Sequence, residues 1–197
     1  MSNTGSTLIR ILGILLITTL WLGCGGDAET TEQPTEPAPA STAVQIPSFD
    51  RDSAYAFVAQ QVAFGPRNPG SPGIVACRDW MAEKLEQYGA TVIRQDFTAR
   101  LYTGDQFPSV NIIGQFNPGK SQRILLAAHY DTRFMAEEDP DVGKRDAPID
   151  GADDGGSGVG VLIEIARLIS AHPIDIGIDI IFFDAEDQGQ RGDGANE

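Results

Sequence analysis

Three short polar clusters hold the residues that could do chemistry. His129-Tyr130-Asp131 directly follows the apolar run Ile124 to Ala128, and Asp184-Ala185-Glu186-Asp187 directly follows a second run, Ile178 to Phe183. Between them lies Gly151-Ala152-Asp153-Asp154-Gly155-Gly156-Ser157-Gly158. One imidazole among several carboxylates suits a divalent cation, and with those ligand types zinc is the leading candidate. Each cluster has a plain alternative when taken singly. His129 could close a strand with a hydrogen bond, Asp153 or Asp154 could be a helix N-cap, and Glu186 and Asp187 could be a solvated strand end. Taken together these alternatives weaken, because like charges crowded at one edge repel unless a cation or proton compensates. His172 precedes Pro173 at a helix end and reads as a surface or C-cap residue.

The elements that must position these clusters follow from periodicity and turn chemistry. Asp50 to Phe64 reads as a helix stopped by Gly65-Pro66. Arg67-Asn68-Pro69-Gly70-Ser71-Pro72-Gly73 is a turn-rich loop, in which Ser71 can cap the next helix and Pro72 can take its first position. That helix runs to about Tyr88, with Ile74, Cys77, Met81 and Leu85 on one stripe. Cys77 on that stripe reads as a small buried hydrophobe and not a nucleophile. Thr91 to Ala99 and Val110 to Phe116 read as strands. Ile124 to Ala128 is a continuous apolar run, expected for a strand covered on both faces, and Ile178 to Phe183 reads as a second covered strand. The helix Gly156 to Ala171 joins them, burying Val159, Leu162, Ile163, Ala166 and Ile169. Strand, helix, strand at this spacing is a βαβ unit, so the fold is α/β with parallel pairing there. In open α/β sheets, sites form outside the carboxyl ends of the strands, where all three clusters converge.

Composition narrows the function. The chain has 197 residues, 14 Lys plus Arg and 28 Asp plus Glu, for a net charge of -14. That balance argues against nucleic acid as a partner, since phosphate contacts need a basic surface. Its 2 Cys and 2 His provide neither a disulfide scaffold nor a Cys-based or His-rich metal site. The first residues describe an export signal: Arg10 precedes a run of about 12 apolar residues, Ile11 to Leu22, short of the roughly 20 a membrane-spanning helix needs. Leu22-Gly23-Cys24-Gly25 resembles a bacterial lipobox, which would make Cys24 the lipidated first residue of an exported, membrane-anchored lipoprotein facing the periplasm or cell exterior. Residues 25–48 are rich in Pro, Thr, Glu and Ala and read as a flexible tether. The catalytic domain is expected over 49–197.

Three motifs in order, AAHYDT, GADDGGSGVGVLIEIARLI and IFFDAEDQG, resemble the co-catalytic zinc aminopeptidases and their relatives, the glutaminyl-peptide cyclotransferases. The resemblance covers about Phe49 to Gly189. Arg67 to Gly73, Asn111-Ile112-Ile113, and the loop ending at Pro148-Ile149-Asp150-Gly151 are most similar to the bacterial cyclotransferases. The resemblance implies a three-layer αβα fold with a mostly parallel, mixed central sheet, incomplete at the C-terminus. It implies that Asp154 ligates the metal, that Glu186 is the acid/base, and that Asp187 is the next ligand in a place where glutamate is common. His129 matches the second-metal ligand of the aminopeptidases, or a site-lining residue in the one-zinc cyclases. Asp131 matches the carboxylate that orients that histidine. The relatives carry further strands and a final His ligand, so the resemblance implies that this sequence is part of a longer protein.

The function so implied is a zinc-dependent cyclisation of N-terminal glutamine on peptides or proteins, using one ion. The alternatives are a di-zinc aminopeptidase and a non-catalytic, lipid-anchored binding module.

Overall fold

The computed structural model describes residues 45–189. Those residues hold three helices, α1 (Arg51–Ala63), α2 (Pro72–Gln87) and α3 (Gly156–Ala171), and four strands, β1 (Thr91–Arg100), β2 (Gln106–Phe116), β3 (Arg123–His129) and β4 (Gly177–Phe183). The expectations on the signal peptide, on Cys24 and on the tether up to residue 44 lie outside the described residues. No helix among them is long and apolar enough to cross a membrane.

Local chemistry sets the element boundaries. The Asp50 side chain accepts from the N–H groups of Asp52 and Ser53 and starts α1. Ser71 accepts from the N–H of Ile74, and Pro72 takes the first helical position of α2. His172 is the C-cap of α3 and is exposed.

The strands form one sheet in the order β1-β2-β4-β3. β3 and β4 pair in parallel, as the βαβ unit requires, with Ile124 opposite Ile178 and His129 opposite Phe183. β1 and β2 form an antiparallel hairpin, and β2 joins β4 antiparallel. The sheet is therefore mixed, but among the described strands only one of the three pairings is parallel.

Alternate residues of each strand face the helices. Ile112 and Phe116 of β2, with Ile178, Ile180 and Phe182 of β4, pack against Cys77, Met81 and Leu85 of α2 and against Val159, Ile163 and Ala166 of α3. Burying one such aliphatic or aromatic side chain contributes roughly 1.5–3 kcal/mol. α1 lies on α3, where the buried Glu164 accepts from the Asp50 N–H and pairs with Arg167.

The expectation that the run 124–128 is covered on both faces is corrected. Among the described residues β3 pairs only with β4, and α3 covers one of its faces. Leu125 is 59% and Ile124 48% exposed. An apolar run shows that a strand favours burial; it does not supply the element that would bury it.

Candidate metal centre

The carboxyl ends of β3 and β4 and the N-terminus of α3 meet at one edge of the sheet. The parallel ladder continues one residue past β3, where the Tyr130 N–H donates to Phe183 O at 2.9 Å. This places His129 and Asp131 beside the turn Glu186–Gln188 that follows β4. The Tyr130 hydroxyl donates across the strand ends, lying 2.8 Å from Val110 O and 3.0 Å from the Asp184 carboxylate. Asp184 also accepts the Val110 N–H. Burial raises its pKa, as it does that of Tyr130. Ala185, between Asp184 and Glu186, is left-handed at φ 59°, a backbone state that costs energy in a residue with a Cβ and that redirects the chain into the turn.

Asp131 is fully buried. Its carboxylate accepts the N–H groups of Glu186 (3.0 Å) and Asp187 (3.1 Å) and the side-chain amide of Gln188 (3.0 Å). One oxygen also lies 3.6 Å from His129 Nδ1. That contact is longer than a hydrogen bond, and Nδ1 is buried without a hydrogen-bond partner. Asp131 lies beside His129 without a hydrogen bond to it, and its bonds fix the turn carrying Glu186 and Asp187. The Asp131 carboxylate is the main influence raising the His129 pKa to about 9; burial opposes this, and Glu186 and Asp154 add to it.

His129 Nε2 lies 3.0 Å from Asp154 Oδ1. The N-cap reading of Asp153 and Asp154 fails, because the N-cap of α3 is Gly155 and no side chain caps that helix. Asp154 is free to face the imidazole. Gly155 has φ 78°, and a Cβ there would lie 3.1 Å from both Asp131 O and His129 Cε1. The positive φ favours glycine, and a Cβ would press on both neighbours. The Asp153 backbone carbonyl accepts from the hydroxyl and the N–H of Ser157.

Glu186 is 60% exposed, with an oxygen 3.9 Å from His129 Nδ1. Asp187 Oδ2 is buried and has no hydrogen-bond partner. Burial first, then the charges of Asp154 and Asp131, pushes the Asp187 pKa up to about 6. Asp154, Glu186 and Asp187 line an open cleft of about 550 Å³ with Arg133, Glu137 and Ile149. Arg133 donates to Asp187 O at 2.8 Å and pairs with Glu137, walling the cleft.

Among the described residues no group of three or more His, Cys, Asp or Glu stands close enough to hold a metal on its own. The donor set nonetheless fits a divalent cation. His129 and Asp154 face each other, an Asp187 oxygen is buried without a partner, the charges of Asp154 and Asp131 act on Asp187, and crowding by like charge is what a cation would relieve.

Sequence reasoning brought His129, Asp131, Asp154, Glu186 and Asp187 to this place, and the structure gathers all five. It missed Arg67, Thr132, Arg133 and Gln188, whose bonds go to backbone groups and to the Glu137 and Asp131 carboxylates and leave no pattern of spacing. The Cys77 thiol is buried and pushed up to about 12 by burial, in keeping with its place in the core.

Comparison with known proteins gives the arrangement a context. Residues 111–194 match the model of Peptidase family M28. The chain is similar to the crystal structure of Tannerella forsythia glutaminyl cyclase, with 50% identity and a TM-score of 0.72 over 77% of this chain and 52% of that one. It is similar to a Zn-dependent exopeptidase from Parabacteroides distasonis, with 50% identity and a TM-score of 0.74 over 78% of this chain and 52% of that one. It is 29% identical to the Bos taurus glutaminyl-peptide cyclotransferase over 132 residues, 61% of this chain and 35% of that protein. The chain thus spans about half the length of these two solved structures and about a third of the bovine protein. By its motifs and fold the chain is similar to zinc exopeptidases and glutaminyl cyclases, and residues 111–194 carry a Peptidase family M28 segment.

Proposed function

We propose that the intact protein is a zinc-dependent glutaminyl-peptide cyclotransferase, converting N-terminal glutamine of peptides to pyroglutamate with release of ammonia. The observation that carries this reading is the 3.0 Å contact between His129 Nε2 and Asp154 Oδ1. Those two groups satisfy each other. The remaining oxygen of Asp154 and the orphaned Oδ2 of Asp187 are the donors left for a cation in this reading. The likeness to the Tannerella forsythia cyclase adds support.

Asp154 and Asp187 would hold the ion, with His129 beside it. Zinc, when bound, supplies Lewis acidity toward the glutamine side-chain carbonyl. The substrate's free α-amine attacks the side-chain amide carbon. A ring C–N bond forms there and the bond to the amide nitrogen breaks. Glu186 takes the proton from the attacking amine and returns it to the departing nitrogen, which leaves as ammonia. Asp131 keeps Glu186 in place through the backbone of its turn. A cleft lined by carboxylates also favours a substrate that presents an amine.

The likeness to the Parabacteroides distasonis exopeptidase favours one other reading, a di-zinc aminopeptidase. There His129, Asp154 and Asp187 would serve two ions, and Glu186 would act as base for the attacking water. Incubating the full-length protein with a Gln-initiated peptide separates the two: pyroglutamyl peptide and ammonia support the cyclase, free glutamine the peptidase.

Export and tethering through Cys24 belong to the same proposal. They predict incorporation of labelled fatty acid that is lost in Cys24→Ala.

A further inference from the structure

The turn-rich segment Arg67 to Gly73 has no place in the chemistry above, yet its first residue is the largest fully buried side chain among the described residues. A buried guanidinium is costly unless its donors are satisfied. Arg67 has no carboxylate partner among the described residues. It spends its donors on carbonyls from three separate segments: Nε on Tyr130 O at 2.9 Å, Nη1 on Asp150 O at 2.8 Å and Gln61 O at 3.4 Å, and Nη2 on Gly151 O at 2.8 Å.

Two of those segments carry the metal centre. Tyr130 stands between His129 and Asp131. Gly151 begins the loop to Asp154, and its carbonyl also accepts the Gly156 N–H at the start of α3. The approach is close enough to exclude a side chain at Gly151, where a Cβ would lie 2.3 Å from Thr132 Cγ2 and 3.0 Å from Arg67 Nη2. The Arg67 backbone joins in, donating to Thr132 Oγ1 at 2.9 Å and accepting from the Thr132 N–H at 3.2 Å.

We propose that Arg67 is the positioning residue of the metal centre, setting the distance between the strand end that carries His129 and Asp131 and the loop that carries Asp154. The proposal rests on the reading of this site as a metal centre. Residues that orient ligands from outside the first shell typically change metal affinity by about 10–100-fold when altered. Lysine keeps the charge, but its donors radiate from a single nitrogen and cannot span the carbonyls of Tyr130, Asp150 and Gly151.

The test uses the full-length protein, stripped of metal. Zn²⁺ affinity is measured by competition with a chromophoric chelator, and ligand geometry by the visible absorption of the Co²⁺ form. Arg67→Lys, Arg67→Met and Thr132→Val are compared with Arg123→Met, which loses the ion pair with Asp179 at the far end of the sheet. The expected result is a Zn²⁺ affinity about 10–100-fold weaker and a shifted Co²⁺ spectrum in folded Arg67→Lys, with both unchanged in Arg123→Met. Should Arg67→Met fail to fold, Arg67→Lys and Thr132→Val decide. Folded variants at position 67 with the affinity and spectrum of the parent would overturn the proposal. Failure of the parent itself to take up Zn²⁺ or Co²⁺ would instead overturn the metal reading beneath it.

Discussion

Replacing Asp131 should be among the most damaging single changes to this chain, and the structure gives the size. Its buried carboxylate takes the N–H groups of Glu186 and Asp187 and the Gln188 amide, so Asp131→Ala leaves one buried and two partly buried donors without their partner. Each unsatisfied buried group costs roughly 1–3 kcal/mol. Relaxation of the turn limits the sum, and about 3–5 kcal/mol is expected. Asp131→Asn keeps the shape and one acceptor oxygen but turns an NH₂ toward N–H donors, for about 2–3 kcal/mol. At roughly 2–4 °C per kcal/mol for a domain of this size, the Asn variant should melt about 4–12 °C lower. The assay is thermal denaturation of metal-free, full-length protein, so that loss of a bound ion does not contribute. A melting point within about 2 °C of the parent would refute the claim that Asp131 organises this turn.

Further predictions follow from the same geometry. Glu186→Gln should lower turnover by about 10²–10⁴-fold, the usual range for an acid/base group, with zinc content unchanged; loss of zinc would contradict its role as proton carrier. Gly155→Ala, forced to adopt φ 78° with its Cβ against His129, should cost roughly 1–3 kcal/mol, read by urea denaturation. Hydrogen bonding from Arg123 holds the Asp179 carboxyl below its ordinary range. A depressed folded-state pKa contributes stability above the unfolded value near 4, and that stability is lost as pH falls through the folded value. The melting-point gap between the parent and Asp179→Asn should therefore be open at neutral pH and narrow progressively as pH falls below about 4 toward the lower folded value; a gap that does not narrow as the pH is lowered through that range would contradict it. Cys77 should resist alkylation in the folded chain and react on denaturation, checked by mass spectrometry of the peptide that contains it.

Much of this site could be read from residue order because its parts obey local rules. Ser71 and Pro72 mark the start of α2, and the stripe Val159, Leu162, Ile163, Ala166 orients α3. A βαβ spacing brings the ends of β3 and β4 together, and with them His129, Asp131, Glu186 and Asp187. What stayed hidden depends on contacts without period. Arg67 reaches carbonyls 63 and 84 residues away, and a backbone acceptor is present at every position, so no residue type announces it. The exposed flank of β3 is hidden for a related reason: Ile124 and Leu125 express a preference for burial, whereas their coverage depends on what lies beside them. The two readings of Asp154, helix cap or ligand, could be separated only by the observation that Gly155 occupies the cap.

The most direct measurement is the metal content of the purified full-length protein by elemental analysis, before and after exhaustive chelation, alongside Asp154→Ala. The account predicts stoichiometric zinc in the parent, its loss together with turnover on chelation, recovery of both on adding zinc back, and little or no zinc in Asp154→Ala. A folded, active protein that contains no transition metal and is indifferent to chelators would contradict it.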